Sequence, residues 1–225
     1  MDRTKTLTRN AICCLITSII LWAPKVLSAE HNLGIISEMQ GEITYLDVLK
    51  VNTLTTVKQN DPLQPNGSYL TRHDAYFNVN LFDGSTLRLN PKSKISIEYS
   101  SESRTVTILI LTGSIKISID PDRKDQKLAQ IIVQSAGATF ETAGAAFTVT
   151  RNLLTDQSSV YVEKGTVTAT QYVQNQKKDR ELVHANEKTT IHDRLNEVES
   201  PKEMSEKEIF FLNPKNYPNN SQISF

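Results

Sequence analysis

The sequence predicts an all-β protein, built as a solenoid-like stack of short strand pairs, with a β-sandwich as the alternative and a short helix near the C-terminus. One phrase recurs: apolar residues two apart, a polar turn with one glycine, and apolar alternation again. Its copies span residues 79–89, 108–117 and 160–167. Such alternation places the apolar side chains on one face of a strand. Valine, isoleucine and threonine dominate these segments, and β-branched residues favour strands.

Each copy of the phrase carries one glycine, at Gly84, Gly113 or Gly165. Glycine adopts the positive φ angles that tight connections often need. We therefore expect residues 106–119 to form two strands around Gly113. Residues 160–173 are expected to form a strand pair around Gly165 in the same way.

The other strands follow from shorter stretches of the same alternation. Residues 33–36 and 41–46 open the domain, and residues 56–67, with two prolines, form a loop. Further strand signals, in chain order, are residues 69–81, 86–90, 95–99, 131–133 and 181–191. Residues 135–146 are rich in small residues, and Phe140, Phe147 and Val149 are expected to point inward. Residues 120–127 and 174–180 are charged or polar connections.

The first 29 residues have the pattern of a secretory signal peptide. Basic residues precede a 13-residue apolar run at 11–23, and small residues around Ala29 suggest cleavage there. Thirteen helical residues span only about 20 Å, which is too short to cross a membrane. We therefore expect a periplasmic or secreted protein without a stable membrane span after cleavage. Both cysteines, Cys13 and Cys14, lie in the apolar run, so the exported chain has neither disulfides nor thiol chemistry.

Domain organisation follows from these segments: a signal peptide at 1–29, a β domain at 30–195 and a polar tail at 196–225. The tail begins its helix at Ser200-Pro201-Lys202-Glu203, which has the spacing of a capping box with proline at the first helical position. We expect that helix to end near Leu212, before Asn213 and Pro214.

Composition argues against several functions. Four of the 25 basic side chains and one of the 25 acidic ones lie in residues 1–29, which leaves 21 basic against 24 acidic. A nucleic-acid-binding protein would show a basic excess. The histidines lack the spacing of a zinc site, and no nucleophile motif is present. We therefore expect no enzymatic activity, no cofactor and no metal.

One cluster of acidic residues has the ligand type of a calcium site. Asp120, Asp122 and Asp125 lie in a charged loop, and calcium binds loops that offer several oxygen ligands. Basic residues alternate with these aspartates, which favours a solvated loop over a calcium site.

Aromatic residues are the best candidates for surface contacts. Tyr76 and Tyr161 stand out of phase with the inward apolar residues of their strands. An exposed tyrosine on a sheet can contact a sugar ring or a protein partner. Ordinary cross-strand pairing of tyrosine is the alternative, and the more frequent one.

Six short motifs occur in an order that resembles the FecR-domain family. They are Gly41-Glu42-Ile43, Asp83-Gly84-Ser85 with Leu87 and Leu89, Ser93-Lys94-Ile95, Gly113-Ser114-Ile115, Gly144 with Phe147 and Val149, and the run from Val160 to Val167 around Gly165. The usual threonine after the fifth motif's glycine is replaced by Ala145. The resemblance covers residues 34–193 and implies an all-β, solenoid-like extracytoplasmic domain.

The resemblance also shapes the expected function. Family regulators place a cytoplasmic anti-sigma region and a membrane span before this domain, and we expect neither here. The sequence thus predicts a stand-alone, exported FecR-like domain with a non-catalytic binding or scaffold role, whose partner is an envelope protein or a glycan. The alternatives are an accessory in transmembrane signalling with an outer-membrane transporter or receptor and, less favoured, an enzyme acting on envelope polymer.

Overall fold

A computed structural model describes residues 32–47, 53–121, 128, 130–173, 176–192 and 197–212. The predicted signal peptide lies outside the described residues, as do Asp122 and Asp125 of the acidic loop.

Sixteen strands and one helix make up the described structure. The first eight strands are β1 Gly34–Gln40, β2 Ile43–Asp47, β3 Thr53–Thr56, β4 Gly67–Thr71, β5 Tyr76–Leu81, β6 Thr86–Leu89, β7 Lys94–Ser100 and β8 Thr105–Ser118. The remaining elements are β9 Gln130–Ser135, β10 Ala138–Glu141, β11 Ala145–Asn152, β12 Gln157–Val173, β13 Gln176–His184, β14 Glu187–His192, β15 Glu197–Val198, β16 Lys202–Glu203 and helix α1 Glu206–Leu212. The all-β prediction with a short C-terminal helix is confirmed.

The strands form two layers that share two strands. The first sheet has the order β1-β5-β6-β8-β11-β12-β14, with β15 and β16 beside β14. The second sheet has the order β3-β2-β4-β7-β8-β9-β10-β12-β13. Strand numbers rise almost steadily across both layers, because the chain winds from one layer to the other as it advances. This is the stacked, solenoid-like progression that the sequence predicted.

The long strands β8 and β12 each pass from one sheet into the other. Up to Thr112, β8 pairs with β7 in the second sheet, and from Gly113 it pairs with β11 in the first. Likewise β12 pairs with β11 up to Gly165 and with β13 from Thr166. The two shared strands close a ring of five strands, β8-β9-β10-β12-β11.

The predicted turns at Gly113 and Gly165 are therefore wrong. Both glycines have positive φ, +89° and +82°, but each bends one continuous strand at a corner between sheets instead of reversing the chain. A bent strand has the same apolar alternation on both sides of its glycine as a hairpin has, so the sequence pattern did not separate the two. At Gly84 the predicted turn is confirmed, since the Gly84 amide donates to the Leu81 carbonyl between β5 and β6.

The corners also lack space for a side chain. A Cβ atom on Gly113 would lie 2.2 Å from Ser93 Oγ, and one on Gly165 would lie 2.5 Å from the Gly144 carbonyl oxygen. Ser93 Oγ accepts from the Ser114 amide at 2.8 Å, so a hydroxyl fills the position that a side chain on Gly113 would need.

A single hydrophobic core lies between the two layers. Its largest fully buried side chains include Tyr69 from the second sheet and Phe77 from the first, whose ring centroids are 5.5 Å apart. Phe140, Phe147 and Val149, predicted to point inward, are all buried.

The tail helix starts later than predicted. Lys202 and Glu203 form the short strand β16 against β14, and α1 begins at Glu206. The capping box is Ser205-Glu206-Lys207-Glu208: the Ser205 amide donates to Glu208 Oε2 at 2.9 Å, and the Glu208 amide donates to Ser205 Oγ at 3.4 Å. The tail offers two capping-box spacings, at Ser200 and at Ser205, and pairing of residues 202–203 with β14 keeps the first out of the helix.

Candidate binding surface

Polar side chains form a continuous line across the outward face of the first sheet. Each is the direct cross-strand neighbour of the next, and we call the line the outer row. Its members, from β1 to β16, are Glu38, Asn78, Arg88, Lys116, Thr148, Tyr161, Lys188 and Lys202. The residues on either side of each member of β5, β6, β8, β11 and β12 are buried, so the inward positions supply the core while the outer row supplies this face.

Bulges position two carboxylates along this face. In β1 the register shifts between Ile36 and Glu38, which leaves Ser37 as the extra residue and turns Glu38 outward beside Asn78. In β12 the residues opposite Ala146 and Phe147 are Lys164 and Val162, so Glu163 is the extra residue. Bulges often redirect side chains next to functional sites.

Glu38 organises one end of the outer row. It accepts hydrogen bonds from Tyr76 Oη at 2.9 Å and from Asn78 Nδ2 at 2.5 Å. The hydrogen bond to the Glu38 carboxylate raises the pKa of Tyr76, with a smaller contribution from burial. Tyr76 is thus a fixed neutral donor with its ring against Arg88.

The contacts of the Arg88 guanidinium are with neutral groups. Its guanidinium carbon lies 4.1 Å from the centroid of the Tyr76 ring, and it donates to Asn90 Oδ1 at 3.3 Å and to Asn78 Oδ1 at 3.4 Å. Directly opposite on β8 is Lys116, a second cation. Like charges in directly opposed positions repel each other, so an acceptor placed between Arg88 and Lys116 would be stabilised by both.

Lys116 is drawn away from Arg88 by an ion pair. Lys116 Nζ lies 2.6 Å from Glu163 Oε2, although β11 runs between their strands. The pair therefore spans β11. Thr148, the member of the outer row on β11, is only 1 % exposed. Thr148 Oγ1 and Glu163 Oε1 are buried without a hydrogen-bond partner among the described residues.

A shallow concavity of about 280 Å³ lies on this face over β5, β6 and β8. Its polar lining includes Ser37, Asn78, Thr86, Arg88, Lys116 and Ser118. Hydroxyls, an amide and two cations can bind a polar group rich in acceptor oxygens, and the row extends the contact to either side.

The far end of the outer row is tied to the tail. Lys188 Nζ pairs with Glu208 of α1, and this hydrogen bond raises the pKa of Lys188. Burial alone would raise the pKa of Glu208, but hydrogen bonds from Lys188 and Ser205 outweigh it and lower that pKa to about 2. Nearby, His192 Nε2 lies 2.9 Å from Glu199 Oε1, and this bond, followed by one from Lys202, lowers the pKa of Glu199.

The residues singled out from the motifs occupy structural positions and do not converge. Gly41, Gly113 and Gly165 have positive φ where the chain changes sheets, while Asp83, Gly84 and Ser85 form the β5–β6 turn, in which Asp83 Oδ1 accepts from the Ser85 amide at 2.9 Å. Gly144 approaches Pro121, and Phe147 and Val149 lie in the core.

Both predicted tyrosines lie on the outward face of the first sheet. Tyr161 belongs to the outer row, and Tyr76 precedes Asn78 by two residues on the same face. Sequence reasoning missed Glu38, Arg88 and Lys116. Arg88 and Lys116 carried a usable signal, because each is a cation at the outward position of an apolar alternation, Leu87-x-Leu89 and Ile115-x-Ile117. The bulge that turns Glu38 outward left no such signal.

Within the described ranges, no group of three or more histidine, cysteine, aspartate or glutamate side chains could hold a metal ion. No helix in the described part of the chain is long and apolar enough to cross a membrane.

The fold is similar to that of known proteins. Two crystal structures of proposed anti-sigma factors from Parabacteroides distasonis, at 1.65 Å and 2.50 Å resolution, are similar, each with a TM-score of 0.52 and 18 % identity. The match covers 65 % of this chain in both cases, and 65 % and 64 % of the chains it matches. This chain thus spans slightly less than two thirds of those proteins, and at this identity the likeness concerns the fold. No curated protein matches.

A family model described as FecR protein matches residues 67–168. That range runs from the start of β4 into the second half of β12, and it includes both corner glycines, both tyrosines of the outward face, Arg88 and Lys116. The chain therefore contains a FecR domain, as the motifs predicted.

Proposed function

We propose that this protein is a non-catalytic binding module of the bacterial cell envelope that holds an envelope protein or glycan on the outward face of its first sheet. The observation that carries the proposal is the outer row, a line of polar cross-strand neighbours over eight strands in which every member except Thr148 is at least partly exposed. The carboxylates of Glu38 and Glu163, which the two bulges position, point onto this face. The concavity lined by Arg88 and Lys116 lies on the same face.

Location in the periplasm or outside the cell is part of the proposal. Its support is the signal-peptide pattern of residues 1–29 and the absence of cysteine after Cys14. The slight acidic excess after residue 29 argues against nucleic acid as the partner.

A role in transmembrane signalling is the second candidate. Its support is the FecR domain, together with the anti-sigma assignment of the two proteins that share the fold. In this version the outer row would contact an outer-membrane transporter or receptor.

Site-specific photo-crosslinking in the producing cell tests the proposal. A crosslinking amino acid replaces Asn80, which is exposed and lines the concavity, or Leu182, which is 48 % exposed on the outward face of the second sheet. Both positions keep the core intact, so the pair forms a matched comparison of the two faces.

We expect capture from Asn80 that exceeds capture from Leu182 and that weakens when Arg88 is changed to Gln. A transporter or receptor in the captured material would favour the signalling role, while peptidoglycan or a structural envelope protein would favour the scaffold role. Equal capture from both positions would contradict the assignment of the outward face of the first sheet.

A further inference from the structure

The two layers have four open edges, and three of them are protected. Beside β1, residues 57–63 supply backbone hydrogen bonds, among them Ile36 amide to Asp61 carbonyl at 3.0 Å and Leu63 amide to Gly34 carbonyl at 2.9 Å. The opposite edge of the first sheet is covered by β15 and β16. At the edge of the second sheet, β13 carries five successive charged residues at 177–181, four of them exposed. Charges on an edge strand discourage pairing with other chains.

Among the described residues, none gives the fourth edge, β3, a protection of these kinds. It pairs with β2 on one side, and within the described ranges no strand pairs with its other side. Its sequence, Thr53-Leu54-Thr55-Thr56, contains neither charge, proline nor glycine, and all four residues are exposed. Threonine and leucine in such a strand favour extended pairing.

Apolar side chains accumulate on the outward face beside this edge. Leu54 is 69 % exposed and lies directly opposite Leu46 on β2. Leu70 on β4, 44 % exposed, lies diagonally beside Leu46, since its direct partner is Thr44. The three leucines form a short apolar patch that ends at the open edge.

We propose that β3 pairs antiparallel with β3 of a second copy of this chain, around a two-fold axis at Leu54. Directly opposed residues of an antiparallel pair point to the same face. Placing Leu54 opposite Leu54 of the second copy obeys this rule and joins the two apolar patches into one. Leu54 opposite Thr55 would set an outward side chain against an inward one.

Charge explains why β3, and not β13, is suited to pair with the same strand of a second copy. Identical strands meeting at β3 bring no charges together. The same arrangement of β13 around Asp179 would oppose two aspartates and set Lys178 against Arg180.

The contact between the β3 strands is short, and interfaces below about 1,200 Å² are usually transient. The dimer is therefore expected to form and dissociate with concentration. This contact is independent of the binding role proposed above.

Disulfide trapping tests the register. Leu54→Cys is made in a chain that also carries Cys13→Ala and Cys14→Ala, so that the introduced thiol is the only one. Opposed Cα atoms of antiparallel strands lie about 4.5–5.5 Å apart, within the range that a disulfide bridges. Mild oxidation should convert this variant to a covalent dimer at least tenfold faster than two controls, Leu182→Cys and Leu70→Cys.

The controls separate register from exposure. Leu182 is 48 % exposed on the opposite edge, and the two copies of Leu70 would be about 24 Å apart across five strand spacings. Sedimentation velocity of the unmodified chain should show concentration-dependent dimer that Leu54→Lys removes, with the circular dichroism of the variant unchanged. Equal trapping of all three cysteines, or a dimer that survives Leu54→Lys, would overturn the proposal.

Discussion

Lys116 and Glu163 form an ion pair across a strand to which neither belongs. Lys116 lies on β8 and Glu163 on β12, with β11 between them, and their side chains are 22 % and 30 % exposed. The bulge that leaves Glu163 without a cross-strand partner turns it toward Lys116. This pair ties together the two strands that both layers share, so it contributes to the sheet as well as to the outward surface.

Breaking the pair should destabilise the domain. For Lys116→Met, Glu163→Gln and the double variant, we expect a coupling energy of about 1 kcal/mol, because partial burial limits screening by water. Chemical denaturation of the four proteins measures it. The matched control is Arg72–Glu42, 68 % and 55 % exposed, where coupling should stay below about 0.3 kcal/mol. Equal coupling in both pairs would contradict the role assigned to Lys116 and Glu163.

Substitution of the corner glycine should cost far more than substitution of the turn glycine. Gly84→Ala meets no atom within 4 Å, so it carries only the strain of φ +87°, about 1 kcal/mol. Gly113→Ala adds a clash with Ser93 to a similar φ, and we expect a loss of more than about 3 kcal/mol. Thermal and urea unfolding of the two variants compares them. Similar losses would show that the Gly113 corner relaxes around a methyl group.

The tail should loosen in acid. The pKa of Glu208 falls from 4.5 to about 2 on folding, so its ionised form stabilises the folded state fully above about pH 4.5. That contribution declines as the pH falls from about 4.5 through about 2. Hydrogen exchange of α1 across this range measures the change.

Glu208→Gln should expose α1 to exchange already at neutral pH and flatten its acid dependence. Glu102→Gln, at an exposed position in the β7–β8 turn, is the control. An unchanged pH profile in Glu208→Gln would show that the Lys188–Glu208 contact does not hold the tail.

Capping of α1 should depend on Ser205 and not on Ser200. Ser205→Ala removes the hydroxyl that caps Glu208, and loss of such a cap typically costs about 1 kcal/mol. We expect faster exchange of the amides at 206–209 in this variant. Ser200→Ala should leave them unchanged, since Ser200 precedes β16 and not the helix. The reverse result would restore the capping box inferred from the sequence.

The sequence alone determined the fold class, the phase of most strands and the resemblance to the FecR family. Alternation such as that of Phe77, Val79 and Leu81 specifies which side chains are buried, because a strand places every second residue on one face. It missed β3, whose one apolar residue, Leu54, gives no alternation. It also misassigned the corners, because a glycine between two apolar alternations suits a turn and a bend equally.

Only the tertiary structure decided which outward residues become neighbours. Arg88 and Lys116 are 28 positions apart in the sequence, and Lys116 and Glu163 are 47 apart, yet each pair meets. Strand order and register bring them together, and bulges at Ser37 and Glu163 add the one-residue shifts that turn the carboxylates outward. Register depends on packing of the whole sheet against the core, so local pattern cannot specify it.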